Sequence, residues 1–269
     1  QLYKLSYVRL SKMKKAVFAI LAIAALPLFG ARPFFAGHRG SGYGVENTEH
    51  SFRTGIDLGY DLLETDVKFA KGDVLVCTHD DSTKRLGGTK AIASSTVDEL
   101  KSEKLRQRRA GTDWTGEICT LREFLDICRE GGVRPLIELK WTEGINSKDP
   151  SKIPLLIAEI DSAGMRDRCI ILTSMKPCLE YIRTNYPDIE LQFLTAQYWA
   201  NHFDWCVKWK IDADIMGGCF DKETVDKFHA NGLKVNMWVT NKPVDYMKYA
   251  SWGCDFITTD RLDPASLPD

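Results

Sequence analysis

Apolar stretches of strand length alternate along most of the chain with stretches whose apolar residues recur at helical spacing. Short runs rich in aliphatic and β-branched residues are typical of buried strands, whereas a 3.6-residue period is typical of helices. The pattern predicts eight strands, at residues 34–37, 62–69, 135–139, 169–173, 189–194, 213–216, 234–239 and 255–258. Eight strands that alternate with helices predict an α/β fold, a TIM (β/α)8 barrel, which typically takes about 250 residues.

The predicted helices carry their own start signals. Thr120 and Glu123 have the spacing of a capping box, in which each side chain binds the backbone of the other residue. Asp221 is a favourable first cap for a later helix, and Pro243 suits a first helical turn. Asn47 is predicted to cap the helix that follows the first strand.

The alternation is interrupted after the second predicted strand. The apolar residues 74–78 follow it after a short turn at residues 71–73. A parallel connection needs a dozen or more residues, so this segment is predicted to be an antiparallel hairpin partner outside the eight-strand count. Residues 80–118 are polar and glycine-containing, and we expect them to form an insertion over one end of the barrel.

The N-terminal region has the pattern of a secretory signal. Met13 and two lysines precede an uncharged apolar run at residues 16–29, which is shorter than the roughly 20 residues that span a bilayer. We therefore expect a signal peptide at 13–31, a barrel domain at 32–269 and a periplasmic or secreted protein. The alternatives are a buried first helix and a membrane anchor. Residues 1–12 precede this predicted start and are interpreted as an upstream, non-native segment.

Charge and cysteine content narrow the function. The 269 residues carry a formal net charge of −1, which gives no reason to expect a nucleic-acid partner. Any phosphate chemistry must therefore come from a local site. The eight cysteines are scattered singly and form no CxxC pair, a distribution that favours small core residues over disulfides or zinc ligands.

Carboxylates lie on two of the predicted strands. Glu64 and Asp66 are two residues apart on the second strand and so share one face, as do Glu138 and Lys140 on the third. Active sites of these barrels lie at the C-terminal ends of the strands. Three inward carboxylates make an all-oxygen site suited to Mg²⁺ or Ca²⁺. A structural ion pair is the alternative.

Two histidines occupy comparable places. His38 follows the first strand, with Arg39 next, and His79 ends the hairpin strand. A pair of imidazoles can deliver and remove protons near neutral pH, as cleavage of a phosphodiester with a poor leaving group requires. Each histidine taken singly also fits a structural role. The remaining three are placed in helical segments and interpreted as structural: His50, His202 and His229.

The order of these motifs resembles the signature of the glycerophosphodiester phosphodiesterase family. The motifs are Gly-His-Arg-Gly at 37–40, Glu-Asn-Thr at 46–48, Glu-Thr-Asp at 64–66 and His-Asp at 79–80. Later segments at 137–140, 238–241 and 259–260 are also similar to motifs of that family. The resemblance extends over about residues 34–262, and the joint order of the motifs makes it specific.

The resemblance implies a set of site residues. It implies that His38 and His79 are the catalytic acid/base pair. The remaining implied roles are a divalent cation, Ca²⁺ or Mg²⁺, held by Glu64, Asp66 and Glu138, and substrate binding by Arg39, Lys140 and Trp238.

The implied reaction is metal-dependent hydrolysis of a small glycerophosphodiester to an alcohol and sn-glycerol 3-phosphate. One alternative is a phospholipase of the same fold, either sphingomyelinase D-like or phosphoinositide-cleaving, which an exposed apolar rim on residues 80–118 would favour. Another is a non-catalytic barrel that binds phosphorylated ligands. The segment 80–118 is rich in lysine and arginine, so a membrane surface also stays open as a partner, with a solvated charged lobe as the alternative.

Overall fold

The computed structural model describes residues 32–196 and 199–267. The predicted signal peptide at 13–31 and the upstream residues 1–12 lie outside this part of the chain. Among the described residues, no helix has both the length and the apolar character needed to cross a membrane.

Eight parallel strands close into a barrel, as predicted. The strands of the described residues are β1 (Phe34–Gly37), β2 (Leu62–Phe69), β3 (Leu75–Cys77), β4 (Leu105–Arg109), β5 (Thr112–Gly116), β6 (Cys119–Thr120), β7 (Arg134–Leu139), β8 (Ile170–Thr173), β9 (Glu190–Thr195), β10 (Asp212–Met216), β11 (Val235–Trp238) and β12 (Phe256–Thr259). The barrel order is β1, β2, β7, β8, β9, β10, β11 and β12, and β12 pairs with β1 to close it. The predicted ends of the barrel strands differ from these bounds by no more than one residue.

Helices separate most of the barrel strands. They are α1 (Glu49–Asp57), α2 (Val97–Lys101), α3 (Leu121–Gly131), α4 (Ile153–Ser162), α5 (Lys176–Asn185), α6 (Phe203–Trp209), α7 (Lys222–His229) and α8 (Pro243–Ser251). Short 3-10 turns lie at Thr83–Leu86, Arg166–Arg168, Trp199–Asn201 and Pro264–Ser266.

The predicted start signals of α3, α7 and α8 are confirmed, whereas the predicted cap of α1 is wrong. The capping box of α3 is present, since the Thr120 hydroxyl accepts from the Glu123 backbone N–H at 3.2 Å. Asp221 caps α7 in the same way. Thr48, not Asn47, is the N-cap of α1. Asn47 has a left-handed backbone (φ 56°), and its side chain is bonded to β2 instead.

The strands alternate between two apolar layers. One face of each barrel strand packs against the helices, and the other fills the barrel interior, where Ala36, Leu62, Leu136 and Phe256 form a separate cluster. Because side chains alternate along a strand, the interior position of Leu62 places Glu64 and Asp66, two and four residues further on, on the inside as well. The interior is thus apolar towards the N-terminal ends of the strands and polar towards their C-terminal ends.

The insertion has more structure than its polar composition predicted. It leaves the barrel through β3, which is antiparallel to β2 as predicted, and returns through β6, which is antiparallel to β3. Between them lie α2 and the β4–β5 hairpin. A small apolar core, separate from the barrel core, holds the insertion together: Val45, Ala70, Val76, Leu86, Ile92, Leu100, Leu105 and Ile118.

The cysteines lie within the packed layers. All eight are free thiols, and all but Cys219 are buried. Burial raises the pKa of Cys128 well above its usual value, which keeps that thiol protonated.

We expect Phe124→Ala to destabilise the barrel by about 3–5 kcal/mol, because it empties a fully packed position. Phe124 is completely buried on α3 and packs against Phe52 of α1 with ring centroids 4.7 Å apart. Urea unfolding followed by circular dichroism measures the change. Val244→Ala is the control, since Val244 is 71% exposed and should lose almost nothing. Equal stabilities of the two variants would contradict the packing argument.

Candidate active site

The C-terminal ends of β1, β2 and β7 lie side by side at the mouth of the barrel. In the pairing of β2 with β7, Asp66 is opposite Glu138. In the pairing of β1 with β2, Gly37 is opposite Leu63, so that His38 follows next to Glu64. The register of three strands therefore brings together residues that are far apart in the sequence.

A tight turn after β1 shapes one wall of the mouth. Gly37 tolerates no side chain, because a Cβ there would lie 2.0 Å from the carbonyl oxygen of Gly40. Arg39 has a left-handed backbone (φ 53°), and its N–H donates to Glu64 Oε2 at 2.6 Å. The Gly-His-Arg-Gly motif is thus a turn that folds the backbone onto the carboxylate of β2 and leaves His38 at the strand end.

Glu64, Asp66 and Glu138 form a compact acidic cluster. One carboxylate oxygen from each lies within 4.8 Å of the others, and Glu64 and Asp66 are buried. Glu64 Oε1 is buried without a hydrogen-bond partner. A buried, unsatisfied carboxylate oxygen is costly unless a cation completes it. The donor set therefore fits a hard divalent ion such as Mg²⁺ or Ca²⁺.

The three carboxyl groups of the cluster differ in the direction of their pKa shifts. Burial, with the neighbouring charge of Asp66, raises the pKa of Glu64 well above its usual value. Burial and the same neighbour raise the pKa of Glu138 to about 7. Burial would raise the pKa of Asp66 too, but the charges of Lys140 and Arg39 outweigh it and hold that pKa well below its usual range. Asp66 is thus the fixed anion of the cluster.

Two cations and one amide hold Asp66. Lys140 Nζ lies 3.0 Å from Asp66 Oδ1 and 2.5 Å from Glu138 Oε1. Arg39 Nε lies 3.2 Å from Asp66 Oδ2, and Asn47 Nδ2 donates to the same oxygen at 2.9 Å. The Arg39 guanidinium also pairs with Glu46, a carboxylate outside the cluster. Its predicted contact with a phosphate stays a prediction.

His38 is bonded to a carboxylate at the opposite end of the chain. Its Nδ1 lies 3.0 Å from Oδ1 of Asp260, which directly follows β12. Asn241 donates to Asp260 Oδ2 at 2.7 Å, and Arg109 from the insertion donates to Asp260 Oδ1 at 2.6 Å. Burial disfavours the anion, yet the bonds from His38 and Asn241 and the charge of Arg109 lower the pKa of Asp260. The imidazole therefore faces a permanent anion.

His79 has a similar arrangement built from local residues. Its Nδ1 lies 2.7 Å from Oδ1 of Asp80, and Arg85 Nε donates to Asp80 Oδ2 at 2.6 Å. Arg85 also binds the buried carboxylate of Glu46, to which Arg39 NH1 donates at 2.8 Å. A chain of charges thus links His79 to the acidic cluster through the insertion.

The structure brings seven of the eight predicted site residues into this connected region. They are His38, Arg39, Glu64, Asp66, His79, Glu138 and Lys140. The eighth, Trp238, ends β11, two strands from β1 across the barrel closure. Its indole Nε1 is buried and has no hydrogen-bond partner among the described residues. Its predicted role at the pocket wall stays a prediction.

Several site residues were not predicted as such. They are Glu46, Asn47, Arg85, Arg109, Asn241 and Asp260. Asp260 could have been found, because it closely follows the last predicted barrel strand and so lies at the C-terminal end of the barrel, where active sites of these folds occur. Arg109 had no comparable signal, since it lies on a hairpin that the sequence did not predict.

The other three histidines have structural contacts, as interpreted. His229 Nε2 is 2.9 Å from Asp255 Oδ2. His50 packs on the ring of Trp114 with centroids 5.1 Å apart. His202, which lies just before α6 and not within a helix, packs its ring edge-on against an aromatic neighbour.

Comparison with known proteins relates this chain to phosphodiesterases. A sequence profile of the Glycerophosphoryl diester phosphodiesterase family matches residues 38–264. The chain is 27% identical over 242 residues to a glycerophosphodiester phosphodiesterase of Caldanaerobacter subterraneus, covering 86% of this chain and 94% of the relative.

Solved structures share the fold. A phosphodiesterase of Oleispira antarctica, determined in complex with the product sn-glycerol-3-phosphate, superposes with a TM-score of 0.74 at 22% identity, over 85% of this chain and 93% of the other. A glycerophosphodiester phosphodiesterase of Thermotoga maritima gives a TM-score of 0.68 at 21% identity, over 86% of this chain and 95% of the other. At such identities the likeness shows the barrel fold.

We expect cation affinity at the acidic cluster to increase with pH over the range in which Glu64 and Glu138 lose their protons. Burial raises the pKa of Glu138 to about 7, so below that pH an arriving cation must displace a proton. Each proton that the ion displaces contributes an affinity change of at most about tenfold per pH unit. Calorimetric titration with Ca²⁺ or Mg²⁺ between about pH 5.5 and 8 measures it.

Glu138→Gln should weaken binding and reduce this dependence on pH. Asp113→Asn is the control, because Asp113 is an exposed hairpin residue paired with Arg108. Affinity that stayed constant across the pH range would contradict a protonated carboxyl in the cluster.

Proposed function

Because the chain belongs to the Glycerophosphoryl diester phosphodiesterase family, we propose that it hydrolyses small glycerophosphodiesters to an alcohol and sn-glycerol 3-phosphate. The observation that carries the proposal is the position of the two His–Asp pairs beside a compact cluster of three carboxylates. The Oleispira antarctica structure with bound sn-glycerol-3-phosphate supports the product.

Glu64, Asp66 and Glu138 hold the divalent cation in this proposal. When bound, the cation supplies Lewis-acid stabilisation of the negative charge that develops on the phosphate. The unsatisfied Glu64 Oε1 and the raised pKa values of Glu64 and Glu138 support the assignment. Both Mg²⁺ and Ca²⁺ suit carboxylate ligands, and the donor set does not discriminate between them.

The two histidines move the protons. Asp260 and Asp80 accept from Nδ1 of His38 and His79, which assigns the proton of each neutral ring to Nδ1 and leaves Nε2 for the reaction. The histidine that acts as base is neutral, and its Nε2 takes the proton of the attacking hydroxyl group. The histidine that acts as acid starts as the imidazolium, protonated on both ring nitrogens, and its Nε2–H donates a proton to the leaving alcohol oxygen. The attacking group is either water or the glycerol hydroxyl of the substrate itself.

Three cationic or aromatic residues serve the substrate in this proposal. Lys140 is held at the cluster edge by two carboxylates, and there it adds positive charge where a phosphate would arrive. Arg39 offers the planar guanidinium that suits phosphate oxygens. Trp238 provides an apolar wall at the end of β11.

The phospholipase alternative expected an exposed apolar rim on the insertion. The large, well-exposed apolar side chains of the described residues all lie outside residues 80–118: Phe34, Val74, Trp141, Leu155, Val244 and Met247. The insertion therefore offers no observation that favours an intact lipid over a soluble diester.

Turnover of glycerophosphocholine tests the proposed reaction. We expect release of sn-glycerol 3-phosphate, detected by coupled oxidation with glycerol 3-phosphate dehydrogenase. Exhaustive chelation should abolish it, and added Mg²⁺ or Ca²⁺ should restore it, because the buried cluster needs a cation to offset its charge. Full activity after chelation would contradict the cation, and no release under any condition would contradict the reaction.

Single His38→Ala and His79→Ala variants separate the acid from the base. Choline leaves as a strongly basic alkoxide and needs a proton, whereas a nitrophenolate does not. Loss of the general acid should therefore lower kcat/KM for glycerophosphocholine by about 10²–10⁴-fold and spare an aryl phosphodiester. Loss of the residue that activates the nucleophile should harm both substrates about equally.

His229→Ala is the matched control, because this histidine also pairs with an aspartate but lies outside the site. Circular dichroism establishes that each variant is folded. If both His38→Ala and His79→Ala kept the wild-type rate on glycerophosphocholine, the acid/base assignment would be wrong.

A further inference from the structure

The insertion contributes one arginine to the far side of the barrel mouth. Arg109 ends β4, and its NH2 donates to Asp260 Oδ1 at 2.6 Å. The same oxygen lies 3.0 Å from His38 Nδ1. Arg109 NH1 donates to the carbonyl oxygen of Ser41 at 2.9 Å. One guanidinium thus joins the loop after the last barrel strand to the loop after the first.

The hairpin holds Arg109 in this place. Along β4, Leu105 is buried in the insertion core and Gln107 binds the buried Glu46, both on the side that faces the barrel. Arg109 continues this alternation, whereas Arg108 points away and pairs with Asp113 of the next strand. The Arg109 side chain is 14% exposed, and that of Arg108 is 68% exposed. Two adjacent arginines therefore differ in burial and in partner.

Asp260 receives three side-chain donors at its two oxygens. His38 and Arg109 share Oδ1, and Asn241 binds Oδ2. An arginine beside the carboxylate favours the anionic form and restricts its rotation. A fixed anion in turn fixes the orientation of the imidazole and keeps a proton on its Nδ1. The carboxylate partners of metal-binding histidines act in the same way.

We propose that Arg109 is a positioning residue of the reaction, acting through Asp260 on His38. The inference rests on the proposed role of His38 and adds to it a residue from the insertion. The insertion then takes part in catalysis by completing the His38–Asp260 pair. A purely structural Arg109 would tie the hairpin to the barrel without changing the turnover of a folded enzyme.

The kinetic test compares Arg109→Gln with Arg108→Gln in the full chain with its cation. We expect Arg109→Gln to lower kcat for glycerophosphocholine by about 10- to 100-fold, the usual range for a partner behind a functional histidine, with KM little changed. Arg108→Gln removes the same charge from the neighbouring position and should keep kcat within about twofold. Arg109→Lys should recover part of kcat, because an ammonium can reach Asp260 without bridging to Ser41.

A double-mutant cycle shows whether Arg109 acts through Asp260. The loss of kcat in Arg109→Gln/Asp260→Asn should equal that of Asp260→Asn alone, because contacting residues that act as one unit are not additive. Wild-type kcat in Arg109→Gln, or losses that multiply independently in the double variant, would overturn the proposal. If Arg109→Gln is unfolded by circular dichroism, the same cycle with Arg109→Lys decides.

The outcome is separable from that of the proposed function. Loss of turnover in His38→Ala with full turnover in Arg109→Gln would reject the role of Arg109 alone. Full turnover in His38→Ala would reject the acid/base role on which this inference rests.

Discussion

Mutual repulsion among three closely spaced carboxylates, two of them buried, is the constraint around which the mouth of the barrel is arranged. Glu64, Asp66 and Glu138 lie close enough to share one ion. Their surroundings offset this repulsion in two ways. Arg39 and Lys140 neutralise Asp66 directly, whereas Glu64 and Glu138 have raised pKa values and take up protons in the absence of a cation. A proton that is held because of burial and the neighbouring charge of Asp66 is displaced when a divalent ion binds.

The periodicity of the strands explains which parts of the site the sequence could predict. Alternation along β2 and β7 predicts that Glu64, Asp66 and Glu138 face inward, because Leu62 and Leu136 of the same strands must fill the barrel. The barrel itself follows from eight apolar segments with helical spacers, and the register of the sheet then brings the carboxylates together. These predictions depend on periodicity, which is a local property of the sequence.

The remaining site residues depend on contacts that periodicity does not contain. The sequence predicts Asn47 as a helix cap, a role that suits its residue type, but a left-handed backbone turns its amide to Asp66 and Thr48 is the cap. The pairing of His38 with Asp260 spans 222 residues and exists only because β12 closes onto β1. The insertion was predicted as a polar lobe, since a small apolar core built from scattered positions has no clear period.

The two His–Asp pairs differ in how they are supported, and this difference gives the insertion its importance. Asp80 adjoins His79 in the sequence, so that pair forms wherever the first turn of the insertion forms. Asp260 reaches His38 only through barrel closure, and Arg109 then adds a bond from the insertion. In each pair the aspartate is therefore bound by an arginine of the insertion, Asp80 by Arg85 and Asp260 by Arg109. The barrel supplies the carboxylates that can bind a cation, while the insertion holds the partners of both histidines. A change in the position of the insertion would therefore reach both histidines through Arg85 and Arg109.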